Sequence, residues 1–220
     1  MSAHLRREIE KLKRQLLSLA ATVEDCLWNA IRSIIDRDPD LARNIIENDD
    51  AVDFAEVQVE EEALKILALH QPVAIDLRLI VAVLKINSDL ERIGDLAVHI
   101  AEQGAYFASR PPVDMPFDLT EQATRVRNML RGSLDALVNL NVDAARKVCL
   151  ADDEVDMAHH AMFTQITQCI RRHPEQLDVF LRFRSISGYL ERIADHATNI
   201  AEDVIYMIEG EIVRHHPEEA

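Results

Sequence analysis

The chain carries one stretch of sequence twice. Residues 89–102 read DLERIGDLAVHIAE, and residues 189–202 read YLERIADHATNIAE. Nine of the fourteen positions are identical at a constant offset of 100 residues. A match of this length at fixed spacing indicates an internal duplication, and we therefore expect two related units in tandem.

Both copies have the residue pattern of an amphipathic helix. Leu90, Ile93 and Ala97 recur every three or four residues and form an apolar stripe that would hold the helix on a core. Glu91 and Asp95 are four residues apart, which places them about 40° apart around a helix axis, opposite that stripe. The second copy repeats the acidic pair as Glu191 and Asp195, and the polar stripe continues through His99, Glu102, Asn199 and Glu202.

The same periodicity runs through most of the chain and stops at a few proline-containing segments. It predicts six long helices, at about residues 5–35, 41–69, 74–107, 119–140, 144–172 and 177–208, with a frayed tail at 214–220. The predicted fold is all-α, with two tandem homologous three-helix bundles. Residues 1–110 form the first bundle, the proline-rich segment 111–117 is the linker, and residues 118–220 form the second bundle.

Composition limits the classes of function. A formal net charge of −15 argues against binding to nucleic acid or to an anionic membrane surface. No apolar run approaches the roughly 18 residues of a membrane span, and the charged N-terminus does not resemble a secretory signal. The three cysteines lack metal-ligand spacing and fit reduced, packed thiols. We therefore expect a soluble cytoplasmic protein without direct membrane insertion.

A second pair of acids precedes each copy of the duplicated stretch. Asp49 and Asp53 lie in the second predicted helix, and Asp152 and Asp156 occupy the matching positions of the fifth. In an antiparallel hairpin, facing residues have numbers with a constant sum, because both arms rise equally per residue. The residue numbers of Asp49 and Asp95 have the same sum as those of Asp53 and Glu91. Both pairs are therefore centred on Pro72, where the helix is expected to break. The acidic pairs of the second unit are centred in the same way on residues 173–174. Four carboxylates should therefore meet in each half.

Four close carboxylates repel one another unless something neutralises them. They could be partly protonated, paired with Arg92 and Arg192, or bound to cations. Oxygen ligands select hard ions such as Mg²⁺, Ca²⁺, Mn²⁺ or ferric iron, with His99 a nitrogen donor in the first half only. A single such pair would be read as a solvated helix face, but two pairs in matching register favour a cation site on the outside of each bundle.

The same residues resemble the PhoU family. The run QPVAIDLR at residues 71–78, followed by LERIGD at 90–95, is similar to the first repeat of that family, and LERIADHATNIAE at 190–202 is similar to its second repeat. The resemblance covers nearly the whole chain. It implies two tandem three-helix bundles and a cytoplasmic accessory of the phosphate ABC transporter that is not an enzyme.

The resemblance also implies partners and cofactors. Members of the family repress the phosphate-starvation response, connect the transporter's ATPase subunit to a sensor histidine kinase, and often form homodimers. Their acidic motifs hold metal ions, often as multinuclear clusters, and iron, manganese, magnesium or zinc are the candidates here. The ligands implied by the family motif are Asp49, Asp53, Glu91, Asp95, Asp152, Asp156, Glu191 and Asp195, with His99, Asn199, Glu102 and Glu202 as additional candidates.

Two other classes of function stay open from the sequence. One is a carboxylate-bridged di-iron or ferritin-like protein, which would use Glu-x-x-His motifs directed into a bundle. The chain has no Glu-x-x-His, and its nearest approach is Asp156 with His159. The other is a helical scaffold without metal.

Overall fold

A computed structural model of the chain describes residues 3–210, and within that range the regular secondary structure is helical. The helices are α1 (Ala3–Ile35), α2 (Pro39–Glu47), α3 (Asp49–His70), α4 (Ala74–Ala108), α5 (Leu119–Asn139), α6 (Val142–Arg172) and α7 (Leu177–Glu209), with a 3₁₀ turn at Pro174–Gln176. The all-α fold with six long helices is confirmed, and α2 is a short seventh. The predicted frayed tail lies outside the described residues.

The second predicted helix is the one that differs from expectation. A single helix over residues 41–69 is wrong at Asn48, which separates α2 from α3 with φ −103° and ψ 11°. The Asn48 Nδ2 atom donates to the carbonyl oxygen and the side-chain oxygen of Asn44, both at 2.6 Å. Short polar side chains compete in this way with helical backbone bonds. The break places Asp49 and Asp50 in the first turn of α3, where the helix dipole stabilises negative charge.

The other helix boundaries follow from local chemistry. Asp38 caps α2, since its Oδ1 accepts hydrogen bonds from the backbone N–H groups of Asp40 and Leu41, each at 3.0 Å. Gln71 ends α3 in the left-handed region at φ 45°, and Pro72 follows it in the irregular segment before α4. The hairpin between α3 and α4 therefore turns at the predicted point.

The apolar stripes of the helices form one continuous core. In the first half α3 and α4 pack on each other, α1 packs on α3 and α4, and α2 lies against α1 and α4; in the second half α5, α6 and α7 pack together. Fully buried side chains include Leu12, Leu16, Ile86, Leu90, Ile100, Leu130, Ile193 and Ile200. No helix within residues 3–210 has a stretch long and apolar enough to cross a bilayer.

The two halves meet mainly where α4 packs along α7. Lys85, in the first half of α4, has its Nζ 3.1 Å from the buried Oδ1 of Asp203, near the end of α7. Phe107, near the end of α4, stacks on Phe183, near the start of α7, with ring centroids 4.9 Å apart. These two contacts show that α4 and α7 run antiparallel.

Residues of the duplicated stretch pair across this interface with approximate two-fold symmetry. Asn199 Nδ2 lies 3.5 Å from Asp89 Oδ1, and the rings of His99 and Tyr189 stack with centroids 5.4 Å apart. Asp89 and Tyr189 occupy equivalent positions of the two repeats, 100 residues apart, and so do His99 and Asn199. The two copies of the duplicated stretch therefore pack against each other and form the interface between the halves, related by the approximate two-fold symmetry.

A second contact between the halves covers the tryptophan of α1. Arg127 of α5 places its guanidinium 4.7 Å from the centre of the Trp28 ring and 3.0 Å from Glu24. Cation–π contact and an ion pair thus join α1 to α5. Trp28 therefore takes part in a contact within the chain.

The two repeats offer a matched pair of glycine substitutions that tests the packing. A Cβ at Gly104 would lie 2.1 Å from Ser33 Oγ and 3.3 Å from the Ser33 carbonyl carbon, whereas a Cβ at Gly188 would meet only His159 at 4.0 Å. We expect Gly104→Ala to lower the free energy of unfolding by about 1–3 kcal/mol through overpacking. Gly188→Ala should be neutral or raise it by up to about 1 kcal/mol through helix propensity. Urea unfolding followed by circular dichroism measures both, and equal effects would contradict the packing described.

Candidate functional site

The first acidic site lies between α3 and α4. Asp49 and Asp53 project from α3 and Asp95 from α4, and one carboxylate oxygen of each lies within 4.8 Å of the other two. Glu91, one turn before Asp95, is outside this group of three but close enough to act on it electrostatically. Asp53 is exposed and the other three acids are half-buried. The structure therefore brings the predicted acids of the first half to one level at the bundle surface.

The acids of this site perturb one another's titration. Burial raises the pKa of Asp49, and the charges of Asp53 and Asp95 raise it further. Burial also raises the pKa of Glu91, followed by the charge of Asp95, while the neighbouring Arg92 opposes the shift. Because the pKa values of Asp49 and Glu91 are raised despite these opposing effects, the nearby basic groups do not neutralise the negative charge of the cluster. A bound cation would remove this unfavourable repulsion.

The second acidic site has the same four positions between α6 and α7. Burial raises the pKa of Asp152 to about 6, with the charges of Asp195 and Asp156 adding to the effect and the Thr198 hydroxyl opposing it. The pKa of Asp195 is also raised, first by burial and then by the charge of Glu191. The four predicted acids of this half are thus close in space and electrostatically strained.

The two sites differ in how tightly their acids converge. Among residues 3–210 no three acids of the second site approach one another as closely as Asp49, Asp53 and Asp95 do. The second site instead contains Asp152 Oδ1, which is buried and makes no hydrogen bond of ordinary geometry within the described part of the chain, although the Thr198 hydroxyl lies near enough to lower the pKa of Asp152. A buried carboxylate oxygen without a hydrogen-bond donor is costly unless a cation supplies the missing interaction.

A pair of hydrogen bonds that sequence reasoning did not find lies one turn from each site. Asn87 Nδ2 donates to Glu56 Oε1 at 2.9 Å, and His159 Nδ1 lies 2.8 Å from Ser187 Oγ. Glu56 and His159 occupy matching repeat positions, as do Asn87 and Ser187. Each bond joins the two helices that carry the acids. These positions hold different residues in the two repeats, which is why sequence identity did not reveal them.

The partly buried His159 lies at the edge of the second acidic site. In the sequence, its spacing from Asp156 was the nearest approach to a di-iron motif. Instead, its Nδ1 atom is engaged with Ser187 on α7. His159 is therefore a contact between helices at the edge of the second acidic site.

The four additional ligand candidates have other contacts or greater exposure. His99 is exposed, lies against Tyr189, and lowers the pKa of Asp49, so it belongs to the rim of the first site. Asn199 donates to Asp89 of the other repeat. Glu102 is exposed and Glu202 is half-buried. None of these side chains joins the close group of three carboxylates within residues 3–210.

A cysteine lies near each acidic site, but its chemistry favours oxygen ligation. Burial raises the pKa of Cys26, with Asp25 and Asp49 adding to the effect. Burial also raises the pKa of Cys149 to about 11, followed by the charge of Glu202. Because thiolate is the form that binds metals, these protonated thiols are poor ligands at neutral pH. The donor sets therefore fit hard cations held by carboxylates.

The chain is similar to a known family over both halves. The family model described as PhoU domain matches residues 16–104 and again residues 119–204. The two matched segments contain the acids of the first and second sites, respectively.

Full-length relatives agree with this match. The chain is 32% identical over 207 residues to the phosphate-specific transport system accessory protein PhoU homolog of Clostridium acetobutylicum, covering 94% of each chain. It is 34% identical over 209 residues to the homolog of the same name from Aquifex aeolicus, covering 95% of each.

Solved structures share the fold. The crystal structure of PhoU from Pseudomonas aeruginosa superposes with a TM-score of 0.91 at 32% identity, covering 94% of this chain and 99% of that one. The phosphate transport system regulatory protein PhoU from Streptococcus pneumoniae gives a TM-score of 0.87 at 26% identity, covering 95% and 99%.

The raised pKa of Asp152 predicts an unusual pH dependence of stability. In metal-free protein the folded state binds more protons than the unfolded state between about pH 4 and 6, so stability falls as pH rises through that window. Asp152→Asn should therefore raise the free energy of unfolding at pH 7.5 by about 1–3 kcal/mol, and the gain should vanish near pH 4.

Urea unfolding in chelator at both pH values measures this effect. Asp153→Asn, at an exposed neighbouring acid, is the control and should change little at either pH. An equal gain from Asp152→Asn at both pH values would contradict the electrostatic cause.

Proposed function

This chain belongs to the PhoU family, and on that premise we propose that it is the accessory protein of a phosphate-specific transport system. In this role it acts in the cytoplasm, contacts the ATPase subunit of the transporter and a sensor histidine kinase, and represses the phosphate-starvation response when phosphate is plentiful. The observation that carries the proposal is the pair of matches at 16–104 and 119–204, together with full-length relatives named for this transport system.

An adaptor function requires two surfaces that different proteins can contact at once. Exposed apolar side chains occur at the turn before α4, where Val73 and Ile75 are 74% and 61% exposed. They also occur at the start of α7, where Leu177 and Leu181 are 43% and 45% exposed. Because α4 and α7 run antiparallel, these two turns lie at opposite ends of the interface. We propose them as the two contact regions, because exposed apolar clusters favour association.

We further propose that the acidic sites bind metal ions. In the first site the ligands are Asp49, Asp53 and Asp95, with Glu91 beside them. In the second they are Asp152, Asp156, Glu191 and Asp195. Iron, manganese, magnesium or zinc would neutralise the clustered charge and hold α3 to α4 and α6 to α7. The protein supplies the carboxylates, their spacing and the hydrogen bonds that join the paired helices.

The di-iron or ferritin-like alternative has less support. Such sites use glutamate and histidine ligands directed into the interior of a bundle. Here Asp53 and Asp195 are exposed, and His159 contacts Ser187. A regulator without catalysis, which forms a homodimer as members of its family often do, is therefore the proposal with more support.

Metal analysis of the purified protein tests the acidic sites. The double variant Asp95→Asn/Asp195→Asn should lose most of the bound metal, because one ligand disappears from each site without a change in size. We expect a decrease of at least about tenfold in affinity. Elemental analysis of untagged protein, after incubation with iron, manganese or magnesium, measures the metal content.

The matched control is Asp50→Asn/Asp153→Asn, which removes the same charge at exposed neighbouring acids. It should retain the metal of the wild-type protein. Equal metal content in all three proteins, or none in any of them, would contradict the metal sites, and circular dichroism checks that each variant is folded.

Binding to the transporter tests the adaptor proposal. Val73→Ser/Ile75→Ser should weaken binding to the ATPase subunit by about tenfold or more, because exposed apolar anchors often dominate the energy of an interface. Phe54→Ser removes another large apolar side chain, 65% exposed on α3, and should have little effect. Biolayer interferometry with the purified subunit measures both, and the Leu177→Ser/Leu181→Ser variant tests the opposite end. Binding that is unchanged in both double variants would exclude these contact regions.

A further inference from the structure

A second kind of ligand cluster lies at the other end of α3 from Asp49. His4 and Glu8 are one turn apart at the start of α1, and His70 is the last residue of α3. One ligand atom from each of the three side chains lies within 4.8 Å of the other two. None of them belongs to the duplicated acidic motifs.

Both imidazoles are directed at one carboxylate. His70 Nε2 lies 3.0 Å from Glu8 Oε2, and His4 Nε2 lies 3.3 Å from Glu8 Oε1. The two histidine rings are edge to face, with centroids 5.3 Å apart. Three donors therefore converge from two helices that are far apart in sequence.

The three side chains of the cluster are buried to different extents. The side chains of Glu8 and His70 are 15% and 16% exposed, while that of His4 is 63% exposed. Two donors are thus held by the surrounding structure and the third closes the cluster from the solvent side. An ion could enter from that side, and solvent could occupy a remaining coordination position.

The distances suit a small transition-metal ion. Ligand atoms about 2.0–2.1 Å from a tetrahedral centre lie roughly 3.3 Å from one another. One donor atom from each of the three side chains already lies within 4.8 Å of the other two, so small side-chain adjustments would bring the three donors to that spacing. Two imidazole nitrogens and one carboxylate form a donor set typical of zinc, with one position left open. Imidazole donors disfavour magnesium and calcium, which select oxygen ligands.

We propose that His4, Glu8 and His70 form a transition-metal site of the zinc class, with three protein ligands and an open fourth position. The ion would replace the hydrogen-bonding protons between the two imidazoles and the carboxylate. It would join the start of α1 to the end of α3, directly before the Pro72 turn. Asp49 and His70 are the two ends of the 22-residue helix α3, about 30 Å apart along its axis, so this site is distinct from the acidic sites.

The competing reading is a hydrogen-bonded network without metal. Glu8 accepts a hydrogen bond from His70, and a histidine in the last turn of a helix interacts favourably with the helix dipole. That reading predicts that the cluster stabilises the protein with no effect of zinc. The two readings therefore differ in a measurable quantity, the affinity for zinc.

Zinc titration of the untagged chain separates the two readings. The parent protein for the test carries Asp49→Asn, Asp95→Asn, Asp152→Asn and Asp195→Asn, so that the acidic sites do not contribute. Isothermal titration with zinc chloride should show one equivalent bound. His4→Gln and His70→Gln should each weaken this binding by at least about 10–100-fold, as expected for loss of a ligand.

His173→Gln is the matched control. His173 Nδ1 lies 3.4 Å from Glu175 Oε1, so it forms a similar pair with a carboxylate but belongs to no group of three within the described residues. Zinc affinity should be unchanged in this variant. Because His4 is mostly exposed, His4→Gln keeps the test valid even if His70→Gln alters folding, which circular dichroism would reveal.

Three results would overturn the proposal. The first is no zinc binding in the parent, the second is a zinc affinity that stays within about threefold of the parent in His4→Gln, and the third is an equal loss in His173→Gln. Because the acidic sites are already neutralised in the parent, the outcome is independent of whether those sites bind metal. A negative result here leaves the proposed accessory function intact.

Discussion

The antiparallel packing of α4 against α7 is the constraint on which the rest of the structure depends. These two helices carry the duplicated stretch, and each must bury an apolar stripe on two sides, within its own bundle and against the other repeat. The ion pair of the partly exposed Lys85 with the buried Asp203 and the stacked rings of Phe107 and Phe183 fix the direction of the two helices. Once α4 and α7 are set, the hairpins α3–α4 and α6–α7 place the acids on both sides of the interface.

The same packing brings each repeat into contact with the polar stripe of the other. His99 follows the first acidic pair by one turn and stacks on Tyr189, while Asn199 follows the second pair and donates to Asp89. A change at one acidic site therefore has a contiguous path of side chains to the other repeat. His196 strengthens this path, because its Nδ1 lies 2.8 Å from the same Asp89 carboxylate. Such a path gives the two acidic sites a physical route through which they can be coupled.

Sequence reasoning was successful where structure depends on periodicity along the chain. Helix ends were predicted within about two residues at most boundaries, and the constant sum of facing residue numbers correctly placed Asp49, Asp53 and Asp95 together. It failed at Asn48, where a side chain competes with the helical backbone bonds within an otherwise continuous apolar pattern. That competition is local and depends on geometry that the hydrophobic period does not report.

Contacts between distant segments were out of reach for a different reason. Glu56 with Asn87, and His159 with Ser187, hold the paired helices together but differ in residue type between the repeats. Arg127 on Trp28 and His70 on Glu8 join segments whose mutual placement is set by the packing of whole helices. No spacing rule connects such residues in a single sequence. These contacts become visible only when the tertiary structure is known.

The differences between the repeats have a physical consequence for the proposed metal sites. In the first repeat, the break at Asn48 places Asp49 at a helix N-terminus, and three carboxylates converge closely. In the second, α6 runs unbroken through Asp152, whose Oδ1 is buried without a hydrogen bond of ordinary geometry in the described chain and whose pKa rises to about 6. At the second site a bound cation would compete with the proton of Asp152 as the pH falls toward about 6. At the first site the helix dipole favours the ionised form of Asp49, although burial and the neighbouring acids raise its pKa. We therefore expect the two proposed metal sites to differ in affinity, with the second more sensitive to pH.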